Sequence, residues 1–64
     1  MQPGVWQYND VEKQTAYFRG YVKEYQGQKV IKHACKEVRT SRLKAKEDAK
    51  ELAKQLRKWN RLNM

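Results

Sequence analysis

The apolar pattern of this chain changes period once, near Thr40 and Ser41, and that change limits the folds open to it. On the C-terminal side Ala45, Ala49, Leu52, Ala53, Leu56 and Trp59 recur at steps of three and four, which predicts one amphipathic helix with an Ala-rich stripe. Ala, Leu, Lys, Glu, Gln and Arg dominate there, with no Gly or Pro inside, so intrinsic propensity agrees. Either Thr40 or Ser41 can cap the start, where a hydroxyl accepts from a free first-turn N–H. Asn60 and Asn63 mark the end, and Arg57, Lys58 and Arg61 suit the negative pole of the helix dipole.

On the N-terminal side the residues are of another kind. Trp6, Tyr8, Tyr17, Phe18, Tyr21 and Tyr25 crowd the first part of the chain, and such residues favour strands. Pro3-Gly4 reads as turn chemistry, followed by a short strand from Val5 to Tyr8 that ends at Asn9-Asp10. A polar link leads to a second strand over 15–25, and Gln26-Gly27-Gln28 supplies the Gly that a hairpin loop commonly needs. A third strand runs from about Lys29 to Val38. Val30, Lys32, Ala34 and Lys36 alternate there with Ile31, His33, Cys35 and Glu37, a pattern too mixed to say which side faces inward. The expected architecture is α+β: a three-stranded antiparallel sheet packed on one C-terminal helix, in the order β-β-β-α.

A chain of 64 residues is one domain at most, and domains below roughly 70–80 residues bury little surface on one core. It has no room for a roofed active site. Lys and Arg number 15 against 7 acidic residues, for a net charge of +8, so the molecule attracts polyanions. The lone Cys35 closes no internal disulfide, which favours a reducing, intracellular setting. His33 and Cys35 are too few for a structural zinc site, and no metal or other cofactor is expected. No apolar run is long enough to span a bilayer, and the N-terminus lacks signal-peptide patterning.

The second strand carries the functional signal. Ala16, Phe18, Gly20 and Val22 lie on one parity, with Tyr17, Arg19, Tyr21 and Lys23 on the other. One helix covers one face of a three-stranded sheet, so the small apolar parity is the covered side and the aromatic, cationic parity stays open. Gly20 removes a side chain where the stripe of Ala45, Ala49 and Ala53 would cross. It also fits a bulge or bend. Trp6 and Tyr8 join the open face if Val5 points inward. The lysines of the helix read as a solvated face directed away from any ligand.

Gly4-Val5-Trp6, the run Tyr17-Phe18-Arg19-Gly20-Tyr21-Val22-Lys23, Gly27 and the helical segment Ala49-Lys50-Glu51-Leu52-Ala53 resemble the Apetala and ethylene-response-factor type of DNA-binding domain. That family occurs in plant transcription factors, in apicomplexan regulators, and beside phage integrases and homing nucleases. The resemblance implies a sheet whose exposed face enters the DNA major groove. It assigns Phe18, Gly20 and Val22 to the core, and Trp6, Tyr8, Tyr21, Lys23 and Lys29 to positions that touch DNA. Two departures stand out: Trp6-Gln7-Tyr8 is less basic than is usual, and the aromatic expected near His33-Ala34-Cys35 is absent.

The reading is a sequence-selective binder of double-stranded DNA spanning 1–64 as one small domain, alone or within a longer protein, as in a transcription factor or integrase-associated module. Trp6, Tyr8, Tyr17, Arg19, Tyr21, Lys23, Lys29 and Lys32 are the candidate DNA-binding residues, with Arg19, Tyr17 and Lys32 added from parity and charge. Its expected location is intracellular: the nucleus in a eukaryote, the cytoplasm or nucleoid for a bacterial or phage protein. The alternatives are an RNA-binding module, or a protein-interaction domain docking an acidic partner or a second copy on the same open face. Self-association is open but not indicated, and no membrane or small-molecule partner is expected. His33 and Cys35 stand two apart like a base and a nucleophile, but catalysis also needs an oxyanion donor and a cavity, so no enzyme activity is expected.

Overall fold

The computed structural model describes residues 1–62. Strands β1 (Gln2–Asp10), β2 (Thr15–Gln26) and β3 (Lys29–Arg39) form one antiparallel sheet in the order β1-β2-β3, and helix α1 (Arg42–Leu62) packs across one side of it. This is the expected β-β-β-α arrangement. The first strand is longer than its sequence indicates: Pro3 and Gly4 lie inside β1, paired with Val22 and Tyr21, and form no turn. Proline is tolerated there because β1 is an edge strand, where an N–H can point to solvent and its loss breaks no ladder. Asn63 lies outside the described residues.

The side chains that face α1 are small. Building a Cβ on Gly20 would drive it into the Ala45 carbonyl oxygen and bring it within 3.0 Å of the Ala49 amide nitrogen. The helix therefore approaches β2 as closely as backbone allows. Val22, Ala45 and Ala49 are wholly buried, Ala53 and Cys35 nearly so, and Phe18, Leu52 and Leu56 are half-buried at the rim. The Arg42 guanidinium sits 5.8 Å from the Phe18 ring centroid, a cation–π contact that covers the ring.

The third strand resolves its ambiguous alternation through a bulge. Arg19 pairs with Val38 and Tyr21 with Ala34, so Gly20 alone on β2 stands opposite Cys35, Lys36 and Glu37 on β3. Two extra residues preserve the side-chain parity, where one would have exchanged the faces. Ile31, His33, Cys35 and Arg39 thus share the helix side, leaving Val30, Lys32, Ala34 and Val38 on the open side. Both readings of Gly20 hold together, because it admits the helix and also stands opposite the irregularity.

Polar contacts fix the ends of α1. Ser41, rather than Thr40, is the cap: its carbonyl accepts from the Ala45 N–H at 3.2 Å and its Oγ lies 3.5 Å from the Lys44 nitrogen. Arg39 donates to both carboxylate oxygens of Asp48, at 2.8 and 3.4 Å. At the far end Glu24 accepts from His33 Nε2 at 2.8 Å and from Asn60 at 3.3 Å, tying β2, β3 and α1 together. The hairpins close through Gln14 (φ 50°) and Gly27 (φ 62°). Among the described residues no helix is long and apolar enough to cross a membrane.

Candidate nucleic-acid interface

The side of the sheet away from α1 carries a continuous set of aromatic and cationic groups. Cross-strand partners share a face, so the pairs Trp6–Arg19, Tyr8–Tyr17, Gly4–Tyr21 and Lys23–Lys32 all lie on it. Trp6 and Tyr21 are diagonal neighbours whose rings stack 4.5 Å apart at 16°. Gly4 permits this: a Cβ there would clash with the Tyr21 ring and come 2.5 Å from its hydroxyl oxygen. Tyr21 therefore lies across β1, a fit the sequence does not disclose because Gly4 and Tyr21 are far apart along the chain.

Arg19 is held by the bulge. Its Nε donates to the Cys35 carbonyl at 2.6 Å, which satisfies a carbonyl in the irregular stretch and aims the rest of the guanidinium. Four of its five N–H donors stay available. Seven of the eight residues proposed from sequence, Trp6, Tyr8, Tyr17, Arg19, Tyr21, Lys23 and Lys32, are brought together on this face. Lys29 stands apart: it pairs with Gln26 at the hairpin end, on the parity of the helix side.

The electrostatics are one-sided. Of the seven acidic residues, Glu24 and Glu37 take the helix-side parity, Glu12 is in the β1–β2 turn, and Glu47, Asp48 and Glu51 are on α1. Only Asp10, at the last pair of β1, shares the open side. Lys23 and Lys32 stand directly opposite each other, a placement that destabilises a sheet when nothing neutralises it. The open side thus carries a net positive charge.

The solvated face of the helix has a charge pattern of its own. Lys46, Lys50, Lys54, Arg57 and Arg61 follow steps of four, four, three and four, so they form one stripe on one flank. All five are exposed. Lys46 lines a surface hollow with Pro3, Gly4 and Val5, which puts the stripe on the β1 side. The opposite flank carries Asp48 and Glu51, which line an open cleft with Cys35 and Glu37 of β3. Like charges at such spacings each destabilise a helix by about 0.2–0.5 kcal/mol.

His33 is engaged by Glu24, and burial, followed by the Asp48 charge, pushes the Cys35 thiol up from its ordinary value, the reverse of an activated nucleophile. Among the described residues no group of three or more His, Cys, Asp or Glu side chains could hold a metal ion. No family model, curated protein or solved structure matches the chain.

Proposed function

We propose that this protein binds double-stranded DNA sequence-selectively, seating the open face of its sheet in the major groove. The observation that carries the reading is the nearly acid-free face on which Arg19, Lys23 and Lys32 are interleaved with Trp6, Tyr8, Tyr17 and Tyr21. Three strands at about 4.8 Å spacing are roughly 10 Å across, a width compatible with a major groove of about 12 Å. Lysines neutralise phosphates and set position, while Arg19, oriented by the Cys35 carbonyl, reads a guanine edge through two parallel hydrogen bonds. The resemblance to the Apetala type of domain supports the same use of the sheet. Such a role belongs in the nucleus, or in the nucleoid of a bacterium or phage-infected cell.

Duplex is favoured over single-stranded RNA by the state of the aromatic rings. Single-strand binders offer free ring faces on which bases stack, and the Trp6–Tyr21 stack withdraws one face of each of these two rings. The test is a salt titration of duplex binding after selecting a site from a random pool. With about five phosphates engaged, log K falls against log salt with a slope of roughly −4 to −5. The double variant Lys23→Gln/Lys32→Gln should make that slope shallower by about 2. A parent slope near zero, or tighter binding to single-stranded RNA of the same sequence, sinks the reading.

A further inference from the structure

We infer that the basic flank of α1 is a second contact surface, which grips the phosphate strand bordering the groove on the β1 side. The inference rests on the groove-seated sheet proposed above and adds an element that reading leaves idle. Residues that face the sheet, Ala45, Ala49 and Ala53, are wholly or nearly buried. At about 100° per residue, the stripe of Lys46, Lys50, Lys54, Arg57 and Arg61 points roughly at right angles to that direction. It projects sideways, and Lys46 shares a surface hollow with Pro3, Gly4 and Val5 of β1.

Height and spacing make the phosphate strand the fitting partner. Gly20 lets α1 lie against the back of the sheet at backbone contact, and the major groove is about 8.5 Å deep. With the sheet at the groove floor, α1 is therefore level with the phosphates at its mouth. From Lys46 to Arg61 the stripe extends about 22 Å at 1.5 Å per residue, enough to follow several phosphates of one strand. None of the five cations takes part in an ion pair among the described residues, whereas Arg39, on β3, is paired to Asp48. The other flank, with Asp48 and Glu51 beside β3, is unsuited to the same contact. The two walls of the groove are thus met differently, and the protein has one preferred orientation across it.

The test compares two double variants of equal net charge on the selected duplex, each checked for folding by circular dichroism. Lys50→Gln/Lys54→Gln removes two charges of the stripe, and Lys44→Gln/Lys58→Gln removes two from elsewhere on the same helix. The salt slope should become shallower by about 1.8 in the first pair and stay at the parent value in the second, with the selected site unchanged in both. Equal shallowing in the two variants would mean a diffuse field without a contact, and an unchanged slope in the first would mean no contact; either overturns the inference while the sheet face stands. A parent that binds no duplex overturns both together.

Discussion

At the residue scale, four positions have effects that their types alone do not announce. Gly20→Ala pushes a methyl group into the Ala45 carbonyl, a backbone atom that cannot turn aside, so stability should fall by about 1–3 kcal/mol in urea denaturation. Gly4→Ala meets the far end of the Tyr21 ring instead. The ring can swing away, so this variant should fold but lose the Trp6–Tyr21 stack, visible as changed near-ultraviolet circular dichroism. Arg19 is tied into the fold as well as standing on the proposed binding face: truncation to Ala removes the Nε donor to the Cys35 carbonyl, and a loss of stability of about 1 kcal/mol should accompany any loss of affinity. Glu24 supplies the pH dependence. Its hydrogen bond with His33, then that with Gln26, holds its carboxyl below the ordinary 4.5. Stability from this site is therefore present above the ordinary carboxylate value and lost as pH falls through the lowered one. Glu24→Gln should flatten the acid limb of a plot of urea midpoint against pH, and an unchanged limb would exclude this site as its source.

At the element scale, β2 is the strand on which the others depend. It pairs on both edges and presents Val22, a fully buried side chain, to the helix. Val22→Ala should cost about 2 kcal/mol, more than Phe18→Ala relative to its size, because Phe18 is half-buried and shielded partly by Arg42. A chemical denaturation series ranks the two. The helix depends on small residues for its approach, so enlarging Ala49, whose Cβ would lie 3.1 Å from a methyl at Gly20, lifts it off the sheet. β3 is the adaptable element: its bulge absorbs two residues, keeps the faces in register and supplies the carbonyl that orients Arg19.

At the scale of the whole molecule, the accessible surface is large for the mass. A folded chain of 7.7 kDa is expected to expose about 4,300 Å², against 5366 Å² observed. The excess, roughly 1,000 Å², is of the size that a single DNA-binding module covers on its site. Such a thin body, 14 Å in its shortest extent, has little core of its own and should gain markedly from a ligand. Duplex at a hundredfold excess over Kd adds about 2.7 kcal/mol, which for a domain of this size raises the thermal midpoint by roughly 10 °C or more. Differential scanning fluorimetry with selected and scrambled duplexes measures it, and equal shifts would deny selectivity.

Much of this organisation is written locally. The period switch at Ser41, the alternation of β2 and the spacing of Lys46, Lys50 and Lys54 are all readable in sequence, because each reports how a residue stands to its immediate neighbours along a strand or helix. The position of Gly4 under Tyr21, the inward side of β3, the Arg19–Cys35 bond and the departure of Lys29 from the aromatic face are not. These depend on register between strands and on where the helix crosses them, which is decided by close packing between residues far apart in the chain. Sequence alone determined that one face would be aromatic and basic; only the folded molecule decided which side chains share it, and above which edge the helix holds its row of cations.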